Sequence, residues 1–255
     1  MKKLIRIDQT HLVPDQLPVI TLRDLVFFPN LVQPLIIGRP FSINALTNAL
    51  NDEGYLLFLT QKNSETENPL ATDLYSIGVI SRVLETTWLP DGNAEVVFEG
   101  VERAKSESLD QSQTSLMAKI KPLPSKPLEG LNASESTTVH EVHELFEEYS
   151  SLKQGHSEQP LKPILSLNDT VRSALIIVHN LSLNLGEKQA LLEEQNTLDL
   201  YKALKNILTS EVKSLKDFSK VTDGQHIKKH TTKGIVNQET AEKETQKEIF
   251  PINEE

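Results

Sequence analysis

The stretch Thr86-Thr87-Trp88-Leu89-Pro90-Asp91-Gly92-Asn93-Ala94-Glu95-Val96-Val97-Phe98 decides how the first half of the chain folds. Two β-prone runs flank the quartet Pro90-Asp91-Gly92-Asn93. Proline presets φ at about −65° and glycine accepts positive φ without steric cost, so the quartet is a turn and the runs are the arms of a β-hairpin. Upstream, Ser76 to Leu84 continues the β character. Downstream, Leu116, Ala118 and Ile120 alternate with Met117, Lys119 and Lys121, the period of a half-buried strand.

Further towards the N-terminus, Leu17 to Leu22 is a short apolar run, and Tyr55 to Thr60 is a dense one. Val26-Phe27-Phe28 and Leu35-Ile36-Ile37 are punctuated by Pro29 and Pro34. Proline has no amide donor, so neither stretch is a long central strand. Ser42 is the expected N-cap of a helix over residues 43–50, with Ala45, Leu46, Ala49 and Leu50 on one face. Residues 61–73 read as a polar loop. Several short strands and one helix predict a small closed or nearly closed β-barrel over residues 1–122.

Pro122, Pro124 and Pro127 crowd the segment that follows, and residues 123–130 are assigned as a proline-rich linker. Beyond it the apolar period changes from about 2 to about 3.6. Val139, Val142, Phe146 and Tyr149 mark one helical face, flanked by Leu145 and Leu152, with Gly155 and Pro160 ending that helix. A second helix starts near Asn168 or Asp169 and buries Val171, Ala174, Leu175 and Val178. A third starts at Asn184 with Glu187 three residues on, a capping-box spacing, and carries Leu191 and Leu192. A fourth runs from about Thr197 to Phe218 on a stripe of Leu200, Leu204, Ile207, Leu208, Val212 and Leu215. Four amphipathic helices with short connections predict an antiparallel bundle over residues 131–218. Residues 219–255 mix Lys, Glu, Gln and Thr and bury too little apolar surface to offset chain entropy, so this tail is expected to be disordered or loosely helical. The expected class is α+β.

The 255 residues carry a formal charge of −10 and no cysteine. A disulfide scaffold, a thiolate zinc site and a cysteine nucleophile are thereby excluded. Acids outnumber bases in residues 1–125, 126–218 and 219–255 alike. Nucleic-acid binding rests on clustered Lys and Arg, so nucleic acid is not the expected partner. Neither is a membrane: charges interrupt the first eight residues, and no apolar run approaches about 20 residues. The expected compartment is the cytoplasm.

No catalytic constellation emerges, and no catalytic, cofactor or metal residue is assigned. His140 and His143 are three apart, whereas the zinc-protease helix needs two histidines four apart. His226 and His230 have that spacing but lie in the tail. Glu147 and Glu148 are adjacent on a helix and read as solvated surface. No phosphate-cradling G-x-x-x-x-G-K-[ST] loop, dinucleotide fingerprint or G-x-S-x-G elbow occurs, so no cofactor is expected. Trp88 beside the hairpin is a candidate ligand platform, against ordinary strand packing.

Several segments form an ordered series of motifs along the chain. The series begins with Leu17-Pro18-Val19-Ile20-Thr21-Leu22-Arg23-Asp24-Leu25-Val26-Phe27-Phe28-Pro29. It continues through Gln33 to Pro40 with Ser42-Ile43, through Asp73 to Val79, Leu89 to Gly92 and Val97 to Ala104. Glu144 to Tyr149 and Gly186 to Glu193 extend it into the helical half. Together these segments resemble the N-terminal domain of the Lon protease family; the resemblance covers about residues 17–216 and implies a PUA-like β-barrel followed by a helical bundle. It also implies a role in selecting protein substrates and in subunit assembly. No Ser/Lys peptidase dyad and no ATPase module can be carried over to this sequence. The resemblance therefore implies a non-catalytic module that binds unfolded, damaged or apolar protein segments, pairs with Lon, or self-associates. A small-molecule or RNA-binding PUA-like module, or a relic of a longer Lon protease, is the alternative. Arg23, Asp24, Arg39 and the Pro90–Gly92 turn match the family's motifs, but each has a local structural use: Arg23 and Asp24 can pair, Arg39 follows a glycine turn, and the hairpin needs its turn residues. No binding residue is singled out.

Overall fold

The computed structural model describes residues 2–5, 10–67, 69–111, 115–125, 128, 131–154 and 169–218. The expected tail, its His226/His230 pair and the Gly155–Pro160 helix end lie outside the described residues. So does most of the linker's second half. The described residues fold as α+β, with one six-stranded sheet, a small two-stranded one and five helices.

The small sheet pairs β1 (Lys2–Ile5) with β2 (Thr10–Val13). The large one comprises β3 (Gln16–Leu22), β4 (Val32–Ile37), β5 (Tyr55–Thr60), β6 (Ile77–Trp88), β7 (Ala94–Gln111) and β8 (Leu116–Pro122). Their order is β4-β7-β6-β5-β3-β8, with β8 pairing back onto β7. The ladders β3–β5, β5–β6, β6–β7, β7–β8 and β8–β3 thus return to their starting strand. All are antiparallel except β3–β5. That parallel pair requires a crossover, which is supplied by β4 and helix α1 (Pro40–Asn51).

β7 makes this closure possible by its length of 18 residues. Its first half pairs with β4 through Ala94–Glu99, and its second half pairs with β8 through Ala104–Gln111. The β6–β7 turn is the expected hairpin: Leu89 and Asn93 close it with a 2.9 Å amide–carbonyl bond, and Gly92 sits at φ +86°. The Asp91 carboxylate accepts from the Asn93 amide at 3.0 Å, an Asx turn that fixes the tip.

All six residues of β5 are buried. Tyr55, Leu57 and Leu59 join Leu17, Val19, Ile80, Val101, Ala118 and Ile120 in one apolar cluster. By the alternation of a strand, Leu56 and Phe58 point to the other face. Phe58 there touches Phe27 (centroids 4.8 Å apart) and Phe98 (4.9 Å, edge-on). Helix α1 packs against β3 and β5, burying Ala45, Leu46 and Ala49. The segment Val26-Phe27-Phe28 is buried yet forms no strand. Gly78 lets two strands approach closely: a Cβ there would sit 1.9 Å from the Phe58 carbonyl oxygen.

The remaining helices are α2 (Ala133–Gln154), α3 (Thr170–Asn180), α4 (Leu185–Glu193) and α5 (197–218). The start of α2 lies before the Val139 stripe because Asn132 and Glu135 cap it reciprocally, each bond 3.0 Å. Asp169 caps α3, accepting from the Arg172 amide at 3.0 Å. Asn184 and Glu187 form the expected capping box of α4 at 2.9 Å each way. The Asn196 side chain caps α5 through the Leu198 amide at 3.0 Å. Helix α1 differs from expectation. It begins at Pro40, and Ser42 is a buried third residue instead of the cap. Proline fits the first helical position because its missing amide would be unsatisfied there anyway.

The chain forms two compact units. The first takes the described residues up to His143 and from Asp169 to Lys205. Within it, Arg103 of β7 is buried and donates to the carbonyls of Leu192 (3.0 Å) and Glu194 and to Ser125 Oγ (2.5 Å). A cation thereby meets the unpaired carbonyls at the C-terminal end of α4. Burial holds the Arg103 pKa below its ordinary value despite the raising effect of Glu102 and Glu194. Gln189 anchors the same helix by donating to the Ile77 carbonyl at 2.8 Å. The second unit holds the later parts of α2 and α5. There Phe146 and Tyr149 are buried and stacked at 19°, and Lys216 pairs with Glu148 at 2.5 Å. No described helix is long and apolar enough to cross a membrane.

Candidate functional site

The two halves of β3 have different neighbours. Gln16, Leu17 and Pro18 pair with β8, whereas among the described strands Val19 to Leu22 pair only with β5. Beside this second half lie two clefts. One, of about 550 Å³, is lined by Val19, Phe41 and Leu116 together with Thr21, Arg23, Arg39, Ser42 and Glu67. The other, of about 440 Å³, separates Ile20, Thr21 and Leu22 of β3 from Leu35, Ile36 and Ile37 of β4. Thr21, Arg23, Arg39 and Ser42 border both.

Arg39 is the partition. It stands between the end of β4 and the first residue of α1, and its guanidinium crosses to β3. It donates to the Thr21 carbonyl, to Thr21 Oγ1 (2.8 Å) and to Gln61 Oε1 (2.8 Å). Gln61 is buried and is itself held by donating to the Thr66 carbonyl at 2.8 Å. Burial first, and the charge of Arg23 second, push the Arg39 pKa down. Arg23 and Asp24 are both exposed, and no ion pair joins them.

Strand β4, at one end of the sheet order, exposes a short apolar row, flanked in register by Glu95 and Glu99 of β7. Val32 and Ile36 on β4 are 60% and 71% exposed, with exposed Pro34 between them. Trp88 at the end of β6 is 52% exposed. In register, Trp88 lies across β7 from Ile37, in the row of the buried Ala94. It is neither buried packing nor enclosed in either cleft.

The remaining candidates are dispersed. His143 Nε2 lies 3.2 Å from the buried Tyr201 hydroxyl, which donates to the Thr170 carbonyl at 3.1 Å; His140 is exposed. Burial, reinforced by Asp169, raises the Tyr201 pKa. Glu148 is taken by Lys216, and Glu147 faces solvent. Among the described residues no three His, Asp or Glu side chains converge as a metal site. The local spacing of Arg39 hid its role, since its partners Thr21 and Gln61 are 18 and 22 residues away.

Residues 16–210 match the family model of the ATP-dependent protease La (LON) substrate-binding domain. Lon protease 1 of Hydrogenovibrio crunogenus is 33% identical over 203 residues, which is 80% of this chain and 25% of that protein. Lon protease of Escherichia coli is 29% identical over 197 residues, covering 77% of this chain and 25% of that protein. The chain thus spans about a quarter of the length of the curated relatives it matches. Among solved structures, the N-terminal domain of Mycobacterium avium complex Lon protease superposes with a TM-score of 0.61 at 18% identity, over 76% of this chain and 98% of that one. The Lon N-terminal domain protein of Xanthomonas campestris gives 0.51 at 13% identity, over 74% and 96%. This chain belongs to the Lon substrate-binding domain family.

Proposed function

We propose that this chain is a non-catalytic protein-binding module that recognises unfolded or apolar polypeptide segments in the cytoplasm, alone or together with Lon subunits. Its closed strand ring acts as a PUA-like barrel over residues 1–122. A linker over 123–130 leads to a helical bundle over 131–218, and residues 219–255 form a tail outside both. The observation that carries this reading is the exposed apolar strip Val32-Pro34-Ile36 on β4, at the end of the sheet order. Covering apolar surface contributes roughly 2.5 kcal/mol per 100 Å² before association costs. Burial has no directional requirement, so one strip accepts many sequences. Membership of a family described as a substrate-binding domain supports the same role. Peptide and nucleotide hydrolysis are not part of it.

Gel filtration of the purified chain with reduced, unfolded α-lactalbumin, and separately with full-length Lon, tests the reading. Co-elution with either is expected, together with loss of unfolded-protein binding in a Val32→Ser/Ile36→Ser double variant. A folded chain that binds neither protein, or one that cleaves the unfolded protein, overturns it.

A further inference from the structure

We infer that the larger cleft is a receptor for a carboxylate carried by a bound polypeptide, with Arg39 and Arg23 as its cationic wall. This rests on the protein-binding reading above and names the chemistry of one contact within it. Arg39 is half-buried, and its bonds all go to neutral acceptors: Gln61 Oε1, Thr21 Oγ1 and the Thr21 carbonyl. Those bonds use three of the five N–H donors of a guanidinium, leaving two for a ligand. Arg23 borders the same cleft, and its positive charge works against that of Arg39. Neither arginine forms an ion pair among the described residues, although the chain as a whole carries −10. Glu67 lines the same cleft, exposed as Arg23 is, and makes no ion pair with either arginine.

Two cations facing one cavity with no ion pair to either is a costly arrangement, because like charges repel and burial penalises Arg39. It breaks a local rule as well: Arg39 occupies the N-cap of α1, where acids and hydroxyls are preferred, and the first turn holds no acid. Departures of this kind cluster where a ligand completes the charge balance. The ligand's class follows from the walls. A guanidinium matches the planar fork of a carboxylate. Val19, Phe41 and Leu116 offer apolar surface to the neighbouring residue. A phosphate backbone would need a longer basic track than one arginine pair, and the net charge of the chain repels it.

Fluorescence anisotropy with the full chain and three labelled leucine- and valine-rich octapeptides tests the inference. One ends in a free carboxylate, one in a C-terminal amide, and one is the amide with a single internal aspartate. The free acid, the aspartyl amide or both should bind about tenfold or more tightly than the plain amide, with the preference weakening as salt rises. Which of the two binds tells an α-carboxylate from an acidic side chain. Arg23→Gln lies on the surface, should leave the melting temperature unchanged, and should remove most of the preference. Equal affinity for all three peptides overturns the carboxylate receptor while leaving protein binding intact. A preference that survives in Arg23→Gln also overturns it. Absence of binding by every peptide and by unfolded α-lactalbumin removes both readings together.

Discussion

The two halves of β3 close the same sheet by different means. Over residues 16–18 the neighbour is β8, joined by a backbone ladder. Over residues 19–22 no described strand takes that place, and a single guanidinium reaches the Thr21 carbonyl instead. Backbone closure is insensitive to side-chain identity but leaves no room for a guest. Side-chain closure depends on one residue and leaves clefts on both flanks. Stability and recognition are thus assigned to opposite ends of one strand.

Substitutions can break or sharpen this contrast. The largest effect is expected in the ladder-closed half: Ile120→Ala in β8 empties a fully buried site and should cost about 2–5 kcal/mol in urea unfolding. Arg103→Met removes charged donors from the Leu192 and Glu194 carbonyls and from Ser125, and should cost about 2–3 kcal/mol by the same measurement. Arg39→Gln should cost only about 1 kcal/mol, because Arg39 is half-buried and Thr21, which accepts two of its three bonds, is itself partly exposed. If Arg39→Gln instead proves as damaging as Arg103→Met, the open half is structural and the contrast fails.

A smaller, pH-dependent effect belongs to His179, which packs edge-on against Phe28 at 6.4 Å. Burial first, then the positive charge of Lys188, lowers its pKa below the ordinary 6.5. The unfolded chain therefore takes up the proton first as pH falls. This contribution is fully present above about pH 6.5 and fades as pH drops towards the folded-state pKa. The melting temperature of the parent should fall more between pH 7.5 and pH 5.5 than that of His179→Gln. Smallest of all is Arg23→Gln, expected to stay within about 0.5 kcal/mol of the parent. A larger loss would mean that Arg23 braces the loop after β3.

The sequence was legible wherever pattern and chemistry were local. The turn at Pro90–Asn93, the buried run Tyr55–Thr60, the alternation at Leu116–Ile120 and the capping box at Asn184 all stand where local rules put them. The second half of β7 was not legible. Lys105-Ser106-Glu107-Ser108 has no apolar alternation, and its strand character comes from pairing with β8. The Ser42 cap was displaced because Pro40 opens the helix earlier. At the candidate site, Arg39 read as a residue after a glycine, since the partners that define it come from β3 and the loop after β5. Side chains recruited across the fold leave no spacing to read.

Pro34 has a consequence beyond its strand. The Leu31 carbonyl accepts from the Gly100 amide at 2.8 Å, so residues 33, 35 and 37 aim their backbone at β7, while 32, 34 and 36 aim theirs outward. At the middle of that outward rim the imino acid has no hydrogen to give. A second chain trying to zip onto the rim finds a missing rung between Val32 and Ile36, which blunts sheet-to-sheet polymerisation. A greasy margin can then stay open to passing clients without seeding fibrils of its own kind.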